Sequence, residues 1–90
     1  MAKMANFAHV PTAARRLVIE EARAIRGGAL ARVAMGGRVG DDAFADEIFR
    51  AAADLAAEIR FATRMEIPPR ALRRYLWRAA RVGEKYAHRD

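Results

Sequence analysis

Three stretches of the chain repeat apolar residues at intervals of three and four, the spacing that collects side chains on one face of an α-helix. In the first stretch the stripe is Ala14, Val18, Ala22, Ile25, Ala29 and Val33; in the second it is Phe44, Ile48, Ala52, Leu55, Ile59 and Ala62. The third carries Leu72, Tyr75, Leu76, Ala79, Val82 and Tyr86. No segment alternates with period two for long enough to suggest a sheet, and no internal repeat is present. The pattern predicts an all-α protein: a compact three-helix bundle forming a single helical domain over residues 12–90, preceded by a loose N-terminal arm, Met1–Pro11, that carries no sustained period.

The breaks between the stripes have their own chemistry. Pro11-Thr12 reads as a helix start, with the Thr12 hydroxyl available to cap orphan amides. Gly27-Gly28 interrupts the first stripe at a cost of about 0.5–1 kcal/mol per glycine relative to alanine, which predicts a kink or break there, serving as a hinge or as a site of tight packing against a neighbouring helix. Gly36-Gly37-Arg38-Val39-Gly40 ends the first helix and turns the chain. A glycine-rich loop cradles phosphate when it runs from a strand into a helix, but no strand precedes this one and no Walker lysine follows it.

The second helix opens on Asp41 and Asp42 with Asp46 and Glu47 close behind, and Arg60 and Arg64 lie in its last turns, so acid at the start and base at the end complement the helix dipole. Ile67-Pro68-Pro69 closes the second helix and leads into the third, because a residue before proline leaves the α region and proline suits a first helical turn.

Composition narrows the functional classes. A chain of 90 residues buries only about 60–65 % of its exposable surface, so a partner or a homo-oligomer is a natural expectation. There is no cysteine, which removes disulfides and thiolate metal sites. No apolar run approaches the roughly 20 residues of a membrane span, and Met1–Pro11 lacks the hydrophobic region of a secretory signal; a cytoplasmic location is expected.

Serine, cysteine and glutamine are absent and the only threonines are Thr12 and Thr63, so a hydroxyl or thiol nucleophile is not expected; His9 and His88 lie near opposite ends of the chain and suggest neither a metal pair nor a general base. No catalytic, metal-binding or cofactor-binding residue is assigned.

The net charge of +6 is unevenly placed. Residues 1–40 carry seven cations and two anions, residues 41–65 three and six, residues 66–90 seven and three, so an acidic middle helix lies between basic segments, and ion pairs to that helix are expected to neutralise part of the surplus. On the third helix Arg70, Arg74, Arg78, Arg81 and Lys85 fall within about 80° of arc at 100° per residue, a continuous cationic ridge. Trp77 stands at its rim beside Arg73, with the apolar stripe on the opposite side.

Three readings of this face compete. Arginine forks bind phosphates, and a tryptophan at the rim can stack on an unpaired base. Arginine and tryptophan also dominate protein-interface hot spots. The plainest reading is a solvated face in an arginine-rich chain.

The chain is similar in length and helix layout to the three-helix chorismate mutases, which bind a dianion through arginines and a lysine, and Arg15, Arg32, Arg38, Glu47 and Arg50 stand in comparable places. The similarity is one of size and charge. No complete polar set registers on these residues, and Ala51 follows Arg50 where an acid would be needed.

The expected function is therefore that of a small, basic, non-enzymatic interaction protein. Its size, helical content and missing chemistry resemble those of small regulators, adaptors and inhibitors carried by mobile elements. The expected partner is a larger protein or protein–nucleic acid complex with an acidic surface, contacted through Arg70, Arg73, Arg74, Trp77, Arg78, Arg81 and Lys85. The alternative is direct, largely electrostatic nucleic-acid binding, although the acidic leading turn of the second helix would repel a phosphate backbone.

Overall fold

Pro11 has a non-helical backbone, with ψ at 150°, and the first helix starts at the residue after it. A computed structural model describes residues 11–88, and within them α1 spans Thr12–Ala34, α2 Asp42–Thr63 and α3 Pro69–Ala87. The N-terminal arm expected over Met1–Pro11 lies, apart from Pro11, outside the described residues. Helices are the only regular elements among the described residues, and the three pack against one another as an all-α bundle.

Local chemistry accounts for most of the boundaries. Thr12 is the first helical residue rather than a cap: Pro11 holds the N-cap position without a side-chain bond, and its carbonyl accepts the Arg15 amide at 3.0 Å. Gly36, at φ +89°, reverses the chain after α1, a conformation that L side chains rarely adopt. Asp41 caps α2 by accepting the Phe44 amide at 2.9 Å. At the far end of α2 the Thr63 hydroxyl donates to the Ile59 carbonyl at 2.7 Å and accepts the Met65 amide at 3.2 Å, while Arg64 takes the left-handed cap conformation at φ 63°. Pro69 then opens α3.

The core takes Ala14, Val18, Ile25 and Ala29 from α1 and Phe44, Ile48, Ala52, Leu55 and Ile59 from α2, as the spacing predicts; Ala62 is exposed, beyond the end of the packed stripe. Val39, in the turn between α1 and α2, is also buried and pins that turn to the core.

α3 departs from expectation. Its buried residues are Leu72, Leu76, Ala80 and Gly83, whereas Val82 and Tyr86 are exposed and Tyr75 and Ala79 half-buried. The buried face is thus turned roughly 60° from the hydropathy stripe, at 100° per residue. The reason is backbone proximity. A methyl group built on Gly83 would collide with the Arg26 carbonyl and come within 3.2 Å of Ala29 Cβ, so the two backbones meet where neither has bulk. The α1–α3 interface is the most extensive of the three, and close approach there outweighs the burial of a few larger side chains.

The glycines of α1 behave in the opposite way. The helix runs unbroken through Gly27-Gly28, both residues are exposed, and neither would meet another atom within 4 Å if it carried a Cβ. The expected break and the expected tight packing are both absent at that pair; the close approach belongs to Gly83.

Candidate interaction surface

The packing of α3 divides the expected contact face into two parts and leaves a groove beside them. Arg70, Arg74, Arg78, Arg81 and Lys85 are all exposed and lie opposite the buried Leu72–Gly83 face, as one continuous row about 22 Å long. None of them makes an ion pair with the described residues, so the neutralisation expected from α2 does not occur on this row. The pairs present are Arg32–Asp41 at 3.1 Å, Arg32–Glu47 at 3.3 Å and an exposed Arg60–Glu66 contact at 3.9 Å.

Arg73 and Trp77 are on the α2 side of the row. The Trp77 indole meets Phe44 edge-on, with centroids 5.9 Å apart and an interplanar angle of 74°, and is half-buried against the core. The Arg73 guanidinium lies over the Phe49 ring, 4.8 Å from its centroid. The tryptophan expected at the rim of a contact face thus also packs against α2 and stays only partly open to solvent. The signal for this was Phe44 in the α2 stripe, but its reach to Trp77 depends on the rotation of α3, which periodicity does not reveal.

On its other side the same rotation leaves a groove of about 300 Å³ between α1 and α3. Its floor is Ile19, Ala22, Tyr75, Ala79 and Val82; its edges carry Arg23 and Arg26 from α1 and Arg78 from the ridge. Ile19 is 44 % exposed and Val82 38 %, large apolar side chains left open to water beside three guanidinium groups. Sequence periodicity had placed Tyr75, Ala79 and Val82 inside the core and left Arg23 and Arg26 unassigned.

At the opposite flank of α1 the charge is negative. Glu21 has its carboxyl pKa pushed upward, first by partial burial and then by the nearby Glu58 and Asp54 carboxylates of α2. Toward the end of the same seam Arg32 reverses the balance: its guanidinium donates to both carboxylate oxygens of Asp41 at 3.1 and 3.3 Å and to Glu47 at 3.3 Å, and lies 5.0 Å from the Phe44 ring centroid.

Of the five residues resembling a dianion site, Arg32 and Glu47 are paired with each other at 3.3 Å, and no ion pair joins Arg38 or Arg50 to them among the described residues. Arg15 lies 17 positions from Arg32 on the same helix, roughly 25 Å along the axis, and Arg38 and Arg50 are exposed in the turn and on α2. Among the described residues no polar or charged side chain is buried, no group of three or more His, Asp or Glu is placed to hold a metal ion, and no helix is long and apolar enough to cross a membrane. His9 lies outside the described residues; His88 ends α3, its amide shared between the Glu84 and Lys85 carbonyls.

No protein-family model matches the chain, and comparison with curated proteins and with solved structures finds no significant match.

Proposed function

We propose that the chain works by binding, engaging an acidic surface of a larger protein or ribonucleoprotein assembly through the cationic row of α3. The observation that supports this reading is the row itself: Arg70, Arg74, Arg78, Arg81 and Lys85 point away from the core and make no ion pair among the described residues. Like charges three or four residues apart on a helix destabilise it by about 0.2–0.5 kcal/mol per pair, and four such pairs run along the row. An anionic partner relieves that repulsion, so complex formation gains where the isolated helix loses. Trp77 is half-buried against Phe44, so only part of the indole is open beside the row for a base to stack on, which favours a protein surface over unpaired bases.

The experiment is a charge reversal. Arg74 and Arg78 are exposed, so Arg74→Glu with Arg78→Glu is expected to leave helicity and melting temperature nearly unchanged while abolishing co-purification of the partner that the native chain retains. Undiminished partner retention by this double variant would sink the reading. Nucleic acid is the second class the row suits. Binding of labelled duplex DNA and single-stranded RNA at about 50 and 200 mM salt decides it, because each phosphate contact adds to the slope of affinity against salt. Submicromolar affinity with a steep slope would make nucleic acid the target; weak binding that vanishes at the higher salt would leave a protein.

A further inference from the structure

We propose that the groove between α1 and α3 receives a short amphipathic helix with acidic flanks from the partner, making the three-helix bundle into a four-helix one. The proposal rests on the binding role given above and names the partner's contacting element.

The two walls are built for such a ligand. Along α1, Ile19, Arg23, Arg26 and Leu30 recur at spacings of four, three and four, so they share one stripe, and all four are exposed. Along α3, Tyr75, Ala79 and Val82 form the facing stripe, with Arg78 between them on the outer side. α1 and α3 run side by side in the same direction, because Tyr75 and Ala79 share the groove with Ile19 and Ala22, while Gly83 reaches Arg26 and Ala29. The groove's α1 wall runs from Ile19 to Arg26, about 10 Å, and the exposed Leu30 continues the same stripe one turn beyond, to about 17 Å or roughly three helical turns. A helix laid there can place apolar anchors at i, i+3 or i+4, and i+7 on the floor, which is how grooves between helices recognise amphipathic segments.

Charge selects the occupant. Every charged residue lining the groove is an arginine, and the acids of α1 and α3 lie elsewhere: Glu20 on the outer face of α1, Glu21 toward α2, and Glu84 on the side of α3 away from the groove. A docked helix therefore needs carboxylates on the flanks that meet Arg23 and Arg26 on one edge and Arg78 on the other. The chain's own first ten residues carry Lys3 and no acid, the wrong sign. The outer face of α2 is a weaker match for a second copy, since Arg50 and Arg60 are interspersed with Asp46 and Asp54.

The test uses a designed peptide of about 14 residues with leucines at i, i+3, i+4 and i+7 and glutamates at the flanking positions, alongside its lysine counterpart. The chain has no cysteine, so an environment-sensitive dye attached through Val82→Cys reports on the groove, and one attached through Asp46→Cys on the outer face of α2 is the control. The glutamate peptide is expected to shift the emission of the groove dye to the blue and leave the control unchanged, with the lysine peptide inert. Arg23→Glu with Arg26→Glu, both at exposed positions, is expected to weaken that binding at least about tenfold with melting unchanged.

Equal response to the two peptides, or to neither, would overturn the proposal. A response that survives Arg23→Glu/Arg26→Glu but is lost in Arg70→Glu/Arg81→Glu would overturn the groove and leave the ridge reading standing. A blue shift produced by raising the protein concentration without peptide would make a second copy the occupant and overturn it equally.

Discussion

α1 meets its two neighbours by opposite means. Against α3 the contact is apolar and close, with Gly83 set against the Arg26 carbonyl and Ala29, and no ion pair spans the seam among the described residues. Against α2 the seam is more open and its polar character varies along its length: repulsion among Glu21, Asp54 and Glu58 at one level, and attraction at another, where Arg32 gathers the two carboxylates of Asp41 and Glu47. Close packing depends on shape and fails abruptly when a single atom is added. An electrostatic seam is graded, responds to pH and salt, and contributes less per contact.

The largest effect should come from the α1–α3 seam. Gly83→Ala gains roughly 1 kcal/mol of helix propensity but places its methyl into backbone, which no side-chain rotation relieves, so the net change is expected to be a loss of about 1–3 kcal/mol in denaturant unfolding. The contrast is Gly27→Ala, in the same seam's helix but facing open space, which should raise stability by about 0.5–1 kcal/mol. Two Gly→Ala changes of the same sign would show that the helices separate easily and that the seam is not shape-limited.

In the electrostatic seam the corresponding change is smaller. Arg32→Ala removes the bidentate contact to the Asp41 cap and the bond to Glu47, with an expected cost of about 1–2 kcal/mol, since the pairs are only partly shielded from solvent. Asp41→Ala should cost a similar amount through the lost α2 cap. The double variant should lose less than the sum, and strict additivity would mean that the two side chains do not act together.

Glu21→Gln should have the least effect and the opposite sign. Because the folded carboxyl binds its proton more tightly than the unfolded one, the folded state gains most from this group at low pH and loses that gain as pH rises through the raised pKa. The glutamine variant should thus be slightly the more stable at pH 7, within the roughly 0.5 kcal/mol that surface changes span, and the difference should disappear in acid below the ordinary carboxylate range. A difference that grows on acidification would reverse the assignment.

What was readable in advance follows the same division. Wherever large apolar side chains set the packing, as with Val18, Ile25, Phe44, Ile48 and Leu55, spacing alone placed them in the core. α3 misled because its buried face is chosen by small size at Ala80 and Gly83 rather than by hydropathy, and a stripe read from Tyr75, Val82 and Tyr86 points to the wrong flank. Gly83 itself was visible as a lone glycine inside a helical run, a known mark of close approach, but the Gly27-Gly28 pair carried the same mark and has no neighbour. The cationic row was legible because exposed charge needs no partner to be placed on a helix face. The separation of Trp77 from that row, and the groove opened on the other side, were not legible, because both depend on the turn of α3 about its own axis.

The sequence by itself determined three amphipathic helices, most of their boundaries to within a residue or two, the acid and base at the ends of α2, and the charged face of α3; α2 stops at Thr63, short of the expected end at Ile67-Pro68, because the Thr63 hydroxyl and Arg64 cap it there. These are local consequences of φ/ψ preference, capping and periodicity. Only the tertiary structure decided how far α3 is rotated, and with it which residues are buried, which flank holds Trp77 and Arg73, and where Ile19 and Val82 are left open beside arginines. The physical reason is that rotation is set by the closest approach of two backbones, a property of the pair of helices and of no single one.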